Sequence, residues 1–196
     1  PLSIIQTAIH YAERPVISTN FRPGSAALLH MVVSEHPEIP VIWVDTGFNT
    51  ASTYRHVDRI ARSWDLNLRV FTVAELGDGG QLEHYFQQQQ APESSDPAFE
   101  QFVEAVKLEP FRRAFKELEP DVWFTGIRRE QTAYRRNLNI ASPGPNGALR
   151  IAPLLNWDSG QVDDYYVQHQ IFETHDYVDP TKPEAHLECG LQLLAT

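Results

Sequence analysis

The sequence is poor in anything that would tie the chain together covalently. It holds one cysteine, Cys189, and one methionine in 196 residues. A single thiol forms no intrachain disulfide, which fits a reducing, cytoplasmic setting. Long apolar runs are missing too. Stretches such as Val41-Ile42-Trp43-Val44 stop far short of the roughly 20 residues a membrane helix requires. The opening segment, Pro1 to Thr7, has neither the basic start nor the apolar core of a signal peptide. Positive charge is scarce, with 16 Lys and Arg against 26 Asp and Glu, a net of −10. Nucleic-acid binders present basic faces to phosphate, so a general role of that kind is excluded. With only 10 Gly and 14 Pro, the chain is neither collagen-like nor low-complexity.

What remains is the composition of a globular domain, 42% hydrophobic and 21% charged. A chain of this length buries about 70% of its unfolded surface and needs no disulfide or metal staple. The charge is unevenly spread. Residues 158–196 carry eight acids and one base, Lys182, whereas residues 128–136 carry four arginines and one acid, Glu130. Two readings of this basic spot stay open: a seat for a small polyanion such as a nucleotide phosphate, or pairing with nearby carboxylates.

Short apolar runs alternate with stretches of helical period. Ile4/Ile5, Ala8/Ile9 and Ala12 mark an N-terminal helix, and Val16-Ile17-Ser18 reads as a strand entering a turn over residues 20–24. Ser25, Leu28, Leu29 and Val32 then fall at i, i+3, i+4 and i+7. Val41 to Val44 is apolar on consecutive residues, as in a strand buried on both faces. Val57, Ile60, Ala61 and Trp64 form a helical face, and Leu68 to Phe71 a third strand. Val122-Trp123-Phe124 and Ile151 to Leu155 read as the fourth and fifth. Asp158 with Gln161 forms a capping box for a last helix. Residues 74–100, with Gly77 to Gly80, Gln87 to Gln90 and Pro92 to Pro97, read as an exposed, mobile excursion. The alternation predicts an α/β fold, a mainly parallel sheet flanked by helices.

Three polar clusters follow strands directly and should therefore lie along one sheet edge, where ligands of such folds bind. Ser18 to Ser25 precedes a helix N-terminus, whose N–H groups and dipole favour phosphate; it matches neither the P-loop nor the Rossmann glycine pattern. Asp45-Thr46-Gly47 offers a carboxylate that could hold a ribose hydroxyl or an adenine amino group, or equally cap the next helix. Gly126 to Gln131, with Arg135 and Arg136, offers guanidinium forks suited to phosphate or sulfate. A fourth cluster, Glu188-Cys189-Gly190-Leu191-Gln192, places the lone cysteine in a polar tail after Pro180 and Pro183.

Taken together these residues resemble the phosphoadenylyl-sulfate (PAPS) and adenylyl-sulfate reductases. The likeness runs through Ser18 to His30, Val44 to Phe48 with Thr53-Tyr54-Arg55, Glu109-Pro110 with Lys116-Glu117-Leu118, Trp123 to Gln131, Pro153 to Asp158, and Glu188 to Leu191. It implies the adenine nucleotide α-hydrolase-like (PP-loop) fold. It implies a substrate site made of Ser18, Asn20, Phe21, Gly24, Ser25, Asp45, Thr46, Gly47, Arg128, Arg129, Gln131 and Arg135, and Cys189 as the nucleophile. One cysteine cannot ligate a [4Fe–4S] cluster, so the resemblance points to the cluster-free branch, which mostly uses PAPS; adenylyl sulfate stays open. Thioredoxin or glutaredoxin would be the electron donor, with no metal, nucleic acid or membrane involved, and family members often form homodimers. The implied organisation is a nucleotide-binding domain over residues 1–175 and a mobile tail over 176–196, docking more firmly when nucleotide is bound.

The chain departs from the family pattern in three places. Gln192 stands where the signature ends in histidine, the usual basic pair before the signature is replaced by His186-Leu187, and the segment from Gln170 to Glu188 is short. Two other classes remain as alternatives: an ATP-using PP-loop adenylyltransferase, and a non-catalytic adenine-nucleotide-binding relative.

Overall fold

The structure is a computed structural model, and it describes residues 1–74, 82–172 and 176–182. Six strands form one sheet: β1 (Pro15–Ser18), β2 (Val41–Val44), β3 (Leu68–Phe71), β4 (Val122–Phe124), β5 (Ala141–Pro143) and β6 (Leu149–Ile151), in the order β3-β2-β1-β4-β6-β5. All pairings are parallel except β5 with β6. The helices are α1 (Leu2–Tyr11), α2 (Ala26–Glu35), α3 (Ala51–Ser63), α4 (Glu83–Gln88), α5 (Phe99–Val103), α6 (Glu109–Leu118) and α7 (Ser159–His169).

The strands are buried on both faces, which is why their apolar residues run consecutively rather than alternating. Ile17, Val41, Trp43, Val122 and Phe124 face a core shared with α1, α2, α3 and α7. Their neighbours Val16, Ile42 and Trp123 face the other way, onto Phe111, Ala114 and Phe115 of α6. Trp123 is held edge-on to Phe115, with ring centroids 5.4 Å apart, and its indole N–H donates to Ser18 Oγ at 2.8 Å. Asp121 ties the starts of β1 and β4 together by accepting from the backbone N–H groups of Glu13 and Arg14 at 2.6 and 2.9 Å.

Two elements differ from the sequence reading. The fifth predicted strand, Ile151 to Leu155, ends at Ile151, because Pro153 has no N–H to continue a ladder. Leu154 joins the main core and Leu155 packs with Ile127 and Ala152, while the sheet is extended by the antiparallel edge strand β5. Within 74–100, Gln87 to Gln90 are exposed as expected. The flanking residues are ordered instead: α4 carries Phe86 onto Phe48 at 5.0 Å, and Leu82, Phe102 and Val106 make a small core of their own. Glycines 77, 79 and 80 lie outside the described residues.

The chain leaves β1 toward β2 and β3, then returns to the other side of β1 at β4. The order of strands therefore reverses between β1 and β4, and a crevice opens beyond their carboxyl ends.

Candidate active site

The turn after β1 crosses this crevice on a fixed backbone path. Thr19 Oγ1 accepts from Phe21 N–H at 3.2 Å, Asn20 Oδ1 from Arg22 N–H at 3.3 Å, and Arg22 C=O from the Ser25 hydroxyl at 2.7 Å. Two residues sit in the left-handed region, Phe21 at φ 52° and Gly24 at φ 80°. Gly24 suits that conformation because it has no Cβ, and a Cβ there would also stand 3.8 Å from Arg128 Nη2. Phe21, expected at the substrate site, has a ring that is 1% exposed and packs edge-on to Trp43 in the core.

The loop after β2 is organised by Asp45. Its Oδ1 accepts from Gly47 N–H at 3.0 Å, Asn49 Nδ2 at 2.8 Å and the Tyr54 hydroxyl at 3.0 Å. Burial first, and then the Asp45 charge, push the Tyr54 phenol up to about 12. Asp45 is thus neither the cap of α3, a part taken by Thr50, nor a wall of the crevice. Thr46 and Asn49 take the wall positions instead.

The arginine run divides. Arg128 lies 3.2 Å from Glu130 and donates to the Asp158 carbonyl at 3.2 Å, fastening this segment to the start of α7. Arg129 donates to the Asn156 side chain and, at 2.9 Å, to Leu138 C=O, away from the crevice. Gln131 caps Arg128 N–H at 3.1 Å and accepts from Arg135. Arg135 alone of the four lines the crevice, and it is only 4% exposed.

The crevice encloses about 1030 Å³ of atom-free space, its open side included. Of the residues expected at the substrate site, Ser18, Asn20, Ser25, Thr46 and Arg135 line it, and Phe21, Gly24, Asp45, Gly47, Arg128, Arg129 and Gln131 stand behind or beside it. Cys189 lies outside the described residues. Sequence reasoning missed Arg22, Lys107 and Lys182, which also line the wall. Lys107 sits on a turn of π-helix, Glu104–Leu108, between α5 and α6, a distortion that often marks functional positions and that no sequence pattern announced.

Lys107 also anchors the described start of the expected tail, residues 176–182; the remainder of that tail lies outside the described residues. Its ammonium bonds Asp179 at 2.8 and 3.1 Å and the Thr181 hydroxyl at 2.6 Å, with both charged side chains 9% exposed. The Asp176 carbonyl accepts from the hydroxyls of Thr50 and Thr53. Burial alone would raise the Asp179 pKa, but the Lys107 charge and the bonds from Lys107 and Thr181 outweigh it and hold the carboxyl below its usual value. Residues 176–182 are therefore a latched strap, and Tyr177, Val178, Asp179, Pro180 and Lys182 form part of the crevice wall.

The wall carries four cationic side chains (Arg22, Lys107, Arg135 and Lys182) and one carboxylate, Asp179, in a chain whose net charge is −10. Positive charge focused in a crevice of an acidic protein attracts small anions. Among the described residues, no group of three or more His, Cys, Asp or Glu could hold a metal ion, and no helix is long and apolar enough to cross a membrane.

A mostly parallel six-stranded sheet with a cation-lined crevice at its switch point places the chain among α/β proteins of the PP-loop fold. Comparison with known proteins narrows this: the phosphoadenosine phosphosulfate reductase domain model matches residues 14–175, and the chain belongs to that family. It is 35% identical over 153 residues to a phosphoadenosine 5′-phosphosulfate reductase of Vibrio parahaemolyticus, covering 78% of this chain and 57% of that one. A Synechocystis reductase of the same name is 37% identical over 158 residues, covering 80% and 61%. The chain thus spans about three fifths of the length of these relatives. In fold it is similar to the PAPS reductase of Candida auris, solved as a phosphate complex, with a TM-score of 0.71 at 24% identity over 88% of this chain and 81% of that one. The FMN adenylyltransferase of Candida glabrata shares the fold more distantly, with a TM-score of 0.57 at 10% identity over 85% and 54%.

Proposed function

We propose that the chain works as a PAPS reductase with Cys189 as its nucleophile. The Cys189 thiolate attacks the sulfuryl sulfur of PAPS, the bond from that sulfur to the bridging oxygen breaks, and adenosine 3′,5′-bisphosphate leaves with the electron pair. The enzyme is left as S-sulfocysteine. A dithiol protein of the thioredoxin or glutaredoxin type then attacks the cysteine sulfur. Sulfite departs with the electron pair of the S–S bond, leaving a mixed disulfide. The second thiol of the donor then closes the donor's own disulfide and releases the Cys189 thiolate, the dithiol having supplied the two electrons. No iron–sulfur cluster takes part, since the 196 residues hold a single thiolate donor.

The observation that carries this reading is the excess of positive charge on the crevice wall at the switch point of an otherwise acidic chain. Cations fixed before reaction offset the repulsion between thiolate and sulfate and neutralise the leaving bisphosphate, a form of stabilisation that is often the largest catalytic term. Cys189 follows Lys182 by seven residues, a tether of at most about 25 Å from the latched strap.

Mass spectrometry after incubation with PAPS tests the chemistry. The expected result is an adduct of about 80 Da, the added SO₃, on Cys189, lost on adding a reduced dithiol protein as sulfite appears. Cys189→Ser should bind nucleotide and release no sulfite. Sulfite release by that variant at the parent rate would refute the covalent route. Consumption of ATP to pyrophosphate, with no sulfite from PAPS, would place the chain among the adenylyltransferases instead.

A further inference from the structure

The turn after β1 runs straight into α2, whose first residue is Ala26. Ser25 stands at the cap position of that helix, yet its side chain makes no bond to the helix and its hydroxyl donates backward to Arg22 C=O. The acceptor for the helix start comes from the other end of the chain. The Tyr166 hydroxyl, on α7, accepts from Ala26 N–H at 3.0 Å, with Ala26 3% and Tyr166 7% exposed. No carbonyl within a helix reaches its first-turn N–H groups, so a buried one needs such a partner.

Val162 precedes Tyr166 by four residues and shares its face of α7. It lies 3.9 Å from where a Cβ on Gly24 would stand. The start of α7 is tied to the segment after β4, since Arg128 donates to the Asp158 carbonyl at 3.2 Å and the Ser159 hydroxyl donates to Glu130 at 2.7 Å. One helix thus braces the turn after β1 against the segment after β4, the two stretches that flank the switch point. A neighbouring tyrosine offers a built-in contrast. Tyr165 bonds His30 Nδ1 at 2.8 Å, one helical turn farther along α2, and neither residue lines the crevice.

We propose that Tyr166 is a positioning residue for the reaction. Its hydroxyl fixes the start of α2, and through it the Ser25 and Asn20 side chains that face the crevice, whereas Tyr165 serves to hold the two helices together. This rests on the reductase reading for the chemistry it serves. Without that hydroxyl the buried Ala26 N–H loses its acceptor and the turn shifts to find another. A displacement of about 1 Å in a positioning element is enough to slow a reaction severely.

Tyr166→Phe and Tyr165→Phe each remove one hydroxyl from the same seam, so both should lower the urea midpoint to a similar degree. They should part in function. Tyr166→Phe should lose about tenfold in kcat/KM for sulfite release and about tenfold in calorimetric affinity for adenosine 3′,5′-bisphosphate, while Tyr165→Phe stays within about twofold on both. Exchange of the Ala26 amide, followed by NMR, should quicken in Tyr166→Phe alone. Equal losses of function in the two variants would reduce Tyr166 to a structural contact and overturn the proposal, as would parent activity and affinity in Tyr166→Phe. If the unaltered protein releases no sulfite while Tyr166→Phe alone binds the bisphosphate weakly, the reductase reading falls and the positioning of the turn stands. Sulfite release at one rate by all three proteins does the reverse.

Discussion

Two sets of cations lie within the same domain, and they do different work. The first, Arg128 and Arg129, is conspicuous in the sequence as part of a nine-residue run with four arginines. Its guanidinium groups bond within the protein, to Glu130, the Asp158 and Leu138 carbonyls and Asn156. The second, Arg22, Lys107, Arg135 and Lys182, is scattered over the chain and converges on one crevice. Density of charge along the sequence is thus a poor guide to which cations line the crevice, since the run supplies one of the four, Arg135. The topology of the sheet decides, since the turns after β1 and β4 meet at the switch point whatever their separation in sequence.

The largest effect is expected where the second set is buried. Lys107→Met leaves the Asp179 carboxylate without its cation, and breaking a buried pair in this way costs about 3–5 kcal/mol. Adding Asp179→Leu should restore most of that loss, because an apolar pair of similar volume replaces the ion pair. Urea unfolding of the three variants measures it, and a double variant no better than Lys107→Met would show that the strap is held by other contacts.

A smaller effect is expected from the first set. Arg129→Gln removes charge-assisted bonds to Asn156 and Leu138 and should lower stability by about 1–2 kcal/mol, with nucleotide affinity unchanged within about twofold. A loss of affinity without a loss of stability would mean that Arg129 turns to face the ligand and would collapse the distinction between the sets.

Smaller still is a dependence on pH that belongs to neither set. On the far side, His30 bonds the Tyr165 hydroxyl at 2.8 Å, with the His169 ring 5.1 Å away. Burial, and then His169, lower the His30 pKa; burial, and then Arg59, lower that of His56. A histidine whose folded pKa is depressed contributes stability above its unfolded value near 6.5, and that contribution is lost as pH falls. The melting temperature should therefore decline between about pH 7 and 5, and less so in His30→Gln. An identical decline in that variant would exclude His30 as a source.

Much of the frame was legible from residue order. Consecutive apolar residues at Val41 to Val44 gave a strand buried on both faces, and Asp158 with Gln161 gave the start of α7 with both capping bonds present. The turn after β1 was placed correctly because Ser18, Asn20 and Ser25 follow a strand and precede a helix. The rest depended on contacts between distant positions. β5 reads as a loop, since Ser142, Pro143 and Gly144 favour turns and only the pairing with β6 makes it a strand. The strap, with Pro180 and few apolar residues, reads as weakly docked; its anchor is a partner 72 positions away, on a helical turn with no charge cluster to flag it. Asp45 could be read as a ligand or as a cap; the cap is Thr50, and Asp45 sits at the centre of a loop on which Tyr54 and Asn49 close.

The central claim is that the crevice cations, Arg135 of the arginine run among them, hold the nucleotide, and that Arg128 and Arg129 do not. It is tested most directly by titrating adenosine 3′,5′-bisphosphate into the unaltered chain, Arg135→Gln and Arg129→Gln side by side. Arg135→Gln should weaken binding by about 2 kcal/mol, roughly thirtyfold, while Arg129→Gln matches the unaltered chain. The reverse pattern, with Arg129 essential and Arg135 dispensable, would contradict the account.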